Sequence, residues 1–156
     1  EICKDIGVRT SPAKINGVWI VPLFCWYSPY FEKKWDQNTS YQKRWLDFYK
    51  CCWPASFENI EDPAMYFLKQ NEPHVHPYED GPVITFSHFL PRTELLPPRT
   101  FIKKSLPLVV GSLELDEQIR AIGSHTHICG HTHYDVDKTI GGIRYVQHAL
   151  AHPNER

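Results

Sequence analysis

The sequence lacks an excess of charge of either sign. Its 156 residues contain 17 Lys and Arg against 18 Asp and Glu, which gives a formal net charge of −1. A near-neutral chain has no electrostatic reason to take nucleic acid or an anionic membrane as its main partner. It also lacks any apolar run near the roughly 18 residues that a membrane-spanning helix needs. We therefore expect a protein that requires neither nucleic acid nor a membrane.

Cysteine is scarce and is not arranged for cross-linking. The five cysteines include the adjacent pair Cys51 and Cys52, and no Cys-x-x-Cys occurs. This pattern favours neither a disulfide framework nor a zinc ribbon, so we expect reduced, mostly buried thiols and a cytoplasmic location. The first five residues have no basic-then-apolar signal pattern. The missing initiator Met suggests a processed or truncated chain.

The hydrophobic fraction of 42% allows a sizeable core, and short apolar runs alternate with turn signals. Asn16-Gly17 predicts a hairpin leading into a strand over 18–21, and Asp62-Pro63 predicts the start of a helix running to about Gln70. The other predicted elements are a helix over about 40–52, a strand over 83–86, a helix through Leu115, Ile119 and Ile122, a strand over 126–129 and a hairpin turn before 144–147. Strands that alternate with short helices predict an α/β domain.

Histidine is concentrated near the end of the chain, where six of the nine fall in the last 32 residues. Among them, Gly130-His131-Thr132-His133 directly follows an apolar strand. On an extended backbone, residues i and i+2 project to the same side, and Gly130 would allow close approach of a ligand. The pair could present its imidazoles to one metal ion, or to two ions about 3.5–4 Å apart.

His88 occupies the matching place after the strand over 83–86. Ligands of α/β sheets gather at the carboxyl ends of strands, so His88, His131 and His133 are candidate metal ligands on one rim. His127 could orient a ligand as an outer hydrogen-bond donor, and Arg92 could bind a phosphate bidentately. An ordinary structural histidine and a surface arginine are the alternatives for these last two residues.

Ser87-His88, a short helix and Gly130-His131-Thr132-His133 together resemble the C-terminal half of the calcineurin-like metallophosphoesterase family. The resemblance covers roughly residues 80–156 well and residues 1–24 weakly. It implies a layered sandwich of mixed β-sheets flanked by helices. It also implies a hydrolase in which two divalent ions, of Mn, Fe or Zn, activate water to attack phosphorus. By motif position, His88 and His131 would bind one ion and His133 the other.

The chain departs from that family in lacking its D-x-H, G-D and G-N-H motifs. Those motifs supply the bridging carboxylate, an Asn ligand and the His that protonates the leaving group. We therefore expect residues 1–156 to be the C-terminal part of a single domain, partnered by an upstream segment. We expect the catalytic His to lie upstream of Glu1, and we expect no catalytic His within this chain.

Other interpretations stay open at this stage. The same fold could serve as a non-catalytic scaffold that binds proteins, and Cys129 could join His131 and His133 in a structural zinc site. The substrate is a small phosphoester, which could be a monoester, a diester or a nucleotide polyphosphate. Five aromatic residues could form a lip over the metal centre or simply pack in the core: Trp26, Tyr27, Tyr30, Phe31 and Trp35.

Overall fold

The structure is a computed structural model that describes residues 2–32, 46–53, 57, 62–98 and 108–150. Helices and strands are interspersed along the chain. In order they are α1 (Ile2–Asp5), β1 (Ala13–Ile15), β2 (Val18–Pro22), α2 (Asp47–Lys50), α3 (Pro63–Asn71), β3 (Val83–Phe86), α4 (Glu114–Ala121), β4 (Thr126–Ile128), β5 (Val136–Ile140) and β6 (Ile143–Gln147). Short 3₁₀ turns also occur, among them Glu72–His74 and Thr93–Leu95.

One mixed sheet organises the described residues, with strand order β1-β2-β3-β4-β6-β5. The four central strands run parallel, and the edge strands β1 and β5 pair antiparallel with β2 and β6. Parallel neighbours need long crossovers, and α4 lies within the crossover from β3 to β4. The predicted α/β class is confirmed. The described residues form a single sheet, so they do not show the expected sandwich of sheets.

The inner face of the sheet carries a fully buried row that crosses four strands. Val21, Thr85, His127 and Tyr145 are aligned by the strand register and are each 0% exposed. Leu115 and Ile119 of α4, and Ile122 directly after it, belong to the same apolar core, and all three are also 0% exposed. The predicted apolar stripe of this helix is therefore the part of α4 that joins the core.

The outer face of the sheet is also apolar but remains partly open. Pro22, Phe86, Ile128 and Val146 form one register row on this face. Phe86 is 41% exposed and Ile128 is 44% exposed. Alternation along each strand puts such residues opposite the buried row, so the sheet has two apolar faces, of which the described residues bury one.

Side-chain caps and amides connect α3 to its surroundings. Asp62 accepts from the backbone N–H of Ala64 at 2.9 Å, which is the N-cap expected from Asp62-Pro63. Asn71, at the other end of α3, accepts from Phe24 N and donates to Phe24 O, both at 2.9 Å, and donates to Gln118 of α4 at 2.8 Å. These bonds join three segments that lie far apart in the chain.

A partly buried ion-pair network links α4 to β6 and to the loop after β3. Asp116 accepts from Arg92 and from Arg120, each at 2.7 Å, and also from the hydroxyl of Tyr145. Arg92 donates in addition to Glu94. The Asp116 side chain is 11% exposed, so loss of its carboxylate would leave two guanidinium groups without their shared partner.

Two expectations from the sequence need correction. The thiols are not mostly buried: Cys129 is buried, Cys25 and Cys51 are intermediate, and Cys3 and Cys52 are exposed. The helix expected over about 40–52 lies partly outside the described residues, and its described portion is the short α2. Among the described residues, no helix has the length and apolarity to cross a membrane.

We predict that Asp116→Ala lowers the free energy of unfolding by about 3 kcal/mol, because removing one partner of a buried network leaves the others uncompensated. Asp137→Ala is the matched control, since it breaks the Arg144–Asp137 pair, whose side chains are 57% and 58% exposed. Urea unfolding of both variants checks this. Equal losses in the two variants would contradict the assignment of a structural role to the network.

Candidate functional site

The site lies at the carboxyl ends of β3 and β4. These strands pair in parallel, with Thr85 opposite His127 and Phe86 opposite Ile128. The ladder continues beyond both strands, because Ser87 N donates to Ile128 O at 3.0 Å and Gly130 N donates to His88 O at 2.9 Å. The residues that follow the two strands are therefore held side by side.

His88 and His131 are in direct contact there. His88 Nε2 lies 3.0 Å from His131 Nδ1, and the two rings meet nearly at right angles, with centroids 5.0 Å apart. His131 Nε2 is buried and, within the described part of the chain, has no hydrogen-bond partner. A buried ring nitrogen without a partner is rare. The Val109 backbone carbonyl lies close enough to raise the pKa of His131 slightly against the other influences, but it is not in hydrogen-bond geometry with Nε2, which therefore keeps bonding capacity at this edge.

His133 lies near the pair, but the geometry of its loop differs from the prediction. Its charge is close enough to disfavour protonation of both His88 and His131. His131 and His133 do not alternate on an extended backbone, since both have left-handed φ values, of 74° and 54°. The prediction of strand alternation is thus wrong for this turn, although His131 and His133 do lie near His88.

Gly130 borders the His88 ring. A Cβ built on it would lie 3.5 Å from the His88 carbonyl oxygen and 3.6 Å from His88 Nδ1, which are ordinary contacts. The predicted role of Gly130 in the approach of a ligand stays a prediction.

Both contacting imidazoles are held in the neutral form. Burial, with the charge of His88 next and His133 a smaller influence, lowers the pKa of His131 to about 4. The pKa of His88 is also lowered, mainly by partial desolvation against its neighbours, although the nearby Asp47 carboxylate opposes the shift. Neutral imidazole is the form that binds metal ions, so neither ring needs to lose a proton at pH 7.

Asp47 is a site neighbour that the sequence did not reveal. It begins α2, and its carboxylate lies near His88 and accepts a hydrogen bond from Tyr27. Burial, followed by the charge of Asp47, raises the pKa of Tyr27. No motif surrounds Asp47, and α2 is far from both histidine segments in the chain. Only the tertiary structure brings this carboxylate to the rim.

Phe89 joins the histidines to an aromatic cluster. Its ring lies 4.7 Å from His131, 5.4 Å from Trp26 and 5.3 Å from Tyr27, measured between centroids. The cluster continues from Trp26 to Trp53 and Phe67. Of the proposed lip, Tyr27 (6% exposed) and Phe31 (1%) are core residues, whereas Tyr30 is 53% exposed. Trp35 lies outside the described residues.

His127 is a satisfied structural residue. It is 0% exposed, and its two ring nitrogens contact Thr85 Oγ1 at 2.8 Å and Ser87 Oγ at 3.1 Å. Neither partner is one of the candidate ligands. The predicted role in orienting a ligand therefore has no direct bond to support it, and burial lowers the pKa of His127 to about 3.

Arg92 is already bound to carboxylates. Its two terminal nitrogens donate to Asp116 and to Glu94, and its side chain is 22% exposed. A phosphate would have to displace these carboxylates in order to bind bidentately. The structure thus places Arg92 in the ion-pair network around Asp116. The predicted contact of Arg92 with substrate stays a prediction.

The structural zinc alternative is disfavoured by the state of Cys129. Burial, and to a lesser extent Cys25, raises the pKa of Cys129 to about 12, so the thiolate that would bind zinc does not form readily. More generally, the described residues contain no preformed group of three or more His, Cys, Asp or Glu side chains with metal-binding geometry. The histidine rim is a set of candidate ligands and not an assembled metal centre.

Comparison with known proteins gives one structural match. No family model matches the sequence, and no curated protein sequence matches it. The fold is similar to the crystal structure of phosphopantetheinyl hydrolase (PptH) from Mycobacterium tuberculosis, with a TM-score of 0.76 and 16% sequence identity. The match covers 99% of this chain and 59% of that one. At this identity, the likeness shows a shared fold.

These comparisons correct the family assignment. Membership of the calcineurin-like metallophosphoesterase family was expected from the histidine motifs, but the fold that matches is that of a phosphopantetheinyl hydrolase, and no family model supports the expected membership. The assignment made from the sequence is therefore wrong on this evidence. The short motifs that carried it, Ser87-His88 and Gly130–His133, describe the local arrangement and do not define a family.

We predict that His127 makes stability fall as the pH is lowered. The unfolded histidine has an ordinary pKa of 6.5 and the folded one about 3. The unfolded state therefore binds more protons between these values, and stability is complete above pH 6.5 and lost below it, by up to about 1.4 kcal/mol per pH unit. In His127→Gln, the slope of unfolding free energy against pH should be shallower between pH 6 and 4. An unchanged slope would refute this.

We predict that two tyrosines of the proposed lip respond differently to truncation. Tyr27→Ala should lower the unfolding free energy by roughly 3 kcal/mol or more, since it removes a large buried ring. Tyr30→Ala should change it by less than about 0.5 kcal/mol, because an exposed ring makes few contacts. Urea denaturation followed by fluorescence provides the measurement. Similar losses in both variants would show that Tyr30 is also part of the core.

Proposed function

We propose that this chain is part of an enzyme that hydrolyses a small phosphoester with the help of metal ions. The contact between His88 and His131 is the observation that carries the proposal, together with the buried Nε2 of His131, which accepts or donates no hydrogen bond within the described residues. The fold shared with a phosphopantetheinyl hydrolase supports a hydrolytic reaction. The chain spans about three-fifths of that protein, so activity of a whole enzyme is proposed and not transferred.

The residues present fit divalent metal ions. His88 and His131 are neutral, their nitrogens lie at one sheet edge, and imidazole suits Zn and Fe among the ions considered. His133 and the carboxylate of Asp47 lie nearby. Carboxylate oxygens are ligands that suit Mn. We propose that His88, His131 and His133 hold two ions of Mn, Fe or Zn. Bound ions of this kind polarise phosphoryl oxygens and lower the pKa of a bound water.

Aromatic side chains next to the histidines shape the site. Phe89 and Trp26 form an apolar wall beside the imidazoles, which limits the access of water and keeps the rings uncharged. Tyr27 donates to Asp47 and orients this carboxylate near His88. The further ligands and the acid for the leaving group are proposed to come from an upstream segment of the same domain. A small phosphoester would bind at the edge that these parts share.

We predict that the 156 residues bind one Zn²⁺ through the rim but show no phosphoesterase turnover alone. Double replacement of His131 and His133 by Ala should weaken Zn²⁺ binding at least tenfold. Replacement of His74 and His76, which have the same His-x-His spacing in a turn-rich segment, is the matched control and should leave it unchanged. Calorimetric titration measures the affinity, and elemental analysis of the isolated complex gives the stoichiometry.

Turnover of an aryl phosphodiester and of a phosphopantetheine ester would be assayed with Mn²⁺, for this chain and for one extended upstream. Equal Zn²⁺ affinity in the wild type and both double variants would contradict a metal site at the rim. Strong turnover by the 156 residues alone would contradict the need for an upstream segment, and would assign the missing carboxylate to residues such as Asp47.

A protein-binding scaffold is the second candidate, and the outer face of the sheet favours it. Phe86 and Ile128, with 41% and 44% of their surfaces exposed, lie in one register row of apolar residues. Apolar patches of this kind mark interaction sites. If the rim binds no metal while Phe86→Ser abolishes association with a partner protein, the scaffold function would replace the enzymatic one.

A further inference from the structure

The turn that carries His131 and His133 has a backbone that its residues do not favour. Both histidines have left-handed φ values, of 74° and 54°. A non-glycine residue there is uncommon, and two within three residues persist only where surrounding structure holds them. Within the turn, Thr132 N donates to Gly130 O at 2.9 Å. A single bond of this kind does not fix two such residues, so contacts from outside the turn are needed to hold them.

Gln147 supplies that contact from the last position of β6. Its Nε2 donates to Thr132 Oγ1 at 2.6 Å and to the carbonyl oxygen of Tyr134. These two acceptors lie immediately before and immediately after His133 in the chain. The carbonyl oxygen can only accept, which fixes the orientation of the amide. One side chain on a central strand thus holds both ends of the segment that presents His133.

The environment of Gln147 indicates that core packing does not require a glutamine at this position. The side chain is 2% exposed, and its Oε1 is buried with no hydrogen-bond partner among the described residues. Burying an amide oxygen without a partner costs stability. A methionine or leucine would fill a similar volume without that cost. What a glutamine adds is the pair of bonds to the turn.

We propose that Gln147 is the positioning residue of the histidine rim. By clamping Thr132 and Tyr134, it holds the turn in the conformation that presents His131 and His133 beside His88. The proposal rests on the proposed metal-binding function for its purpose, but the clamp itself is a property of the metal-free chain. Outer residues that orient metal ligands typically contribute tenfold to a hundredfold in metal affinity.

The test uses Co²⁺ as the probe, with Gln147→Met as the main variant, because it removes both bonds and keeps the volume. Co²⁺ affinity should fall tenfold to a hundredfold in this variant. Gln118→Met is the matched control. Gln118 also joins distant segments, because it hydrogen-bonds to Leu68 O and to Asn71. In the described structure, however, it touches no residue of the turn. It should keep its Co²⁺ affinity within about twofold. Unchanged affinity in Gln147→Met would overturn the proposal.

Hydrogen exchange in the metal-free chain separates this proposal from the proposed function. The amide of Thr132 should exchange at least tenfold faster in Gln147→Met than in the wild type, and should be unaffected in Gln118→Met. If the wild type binds no Co²⁺, the metal function fails, while faster exchange at Thr132 still supports the clamp. Unchanged exchange refutes the clamp whatever the metal result.

A second pair of variants covers the case in which Gln147→Met does not fold. Thr132→Val removes one of the two acceptors, and Thr132→Ser retains its hydroxyl. The valine variant should lose Co²⁺ affinity and amide protection, and the serine variant should recover both. Equal behaviour of the valine and serine variants would count against the hydroxyl as a clamp point and would refute the proposal.

Discussion

The parallel pairing of β3 with β4 is the constraint on which the rest of the site depends. Three register pairs and two further backbone bonds hold the residues that follow the two strands side by side. His88 and His131 follow those strands, so the ladder brings their imidazoles within hydrogen-bond distance, at 3.0 Å. The buried row through Thr85 and His127 holds the same two strands together from the inner face.

The site combines burial with unused bonding capacity. Around His131, the rings of Phe89 and His88 exclude water, which lowers the pKa of the imidazole and keeps it uncharged. The same exclusion leaves its Nε2 without a hydrogen bond to any residue that the structure describes. A protein selected for stability alone would replace such a residue with an apolar one. Asp47 supplies a carboxylate near His88, and it comes from a short helix outside the sheet.

The sequence predicted the elements that depend on local patterns. The strand over 83–86 matches β3, the Asp62 cap begins α3, and the strand-end rule placed His88 and His131 at one rim. It failed where distant residues decide the outcome. The left-handed turn at His131, the Asp47 carboxylate and the commitment of Arg92 to Asp116 arise from contacts between segments that are far apart. Motif spacing contains no information about them, and for the same reason it named a family that the comparisons do not support.

The order of the strands has a consequence for how the molecule reaches this structure. The β5–β6 hairpin pairs Ile140 with Ile143, three positions apart, whereas the bond between Thr85 and His127 spans 42 positions. Closing a loop costs more entropy as the loop lengthens, so the hairpin is favoured to form early and the central parallel pairs late. The histidine rim needs β3, β4 and β6 together. Its assembly therefore follows the hairpin in the order of folding, and a folding chain acquires its candidate site only after these three distant strands have paired.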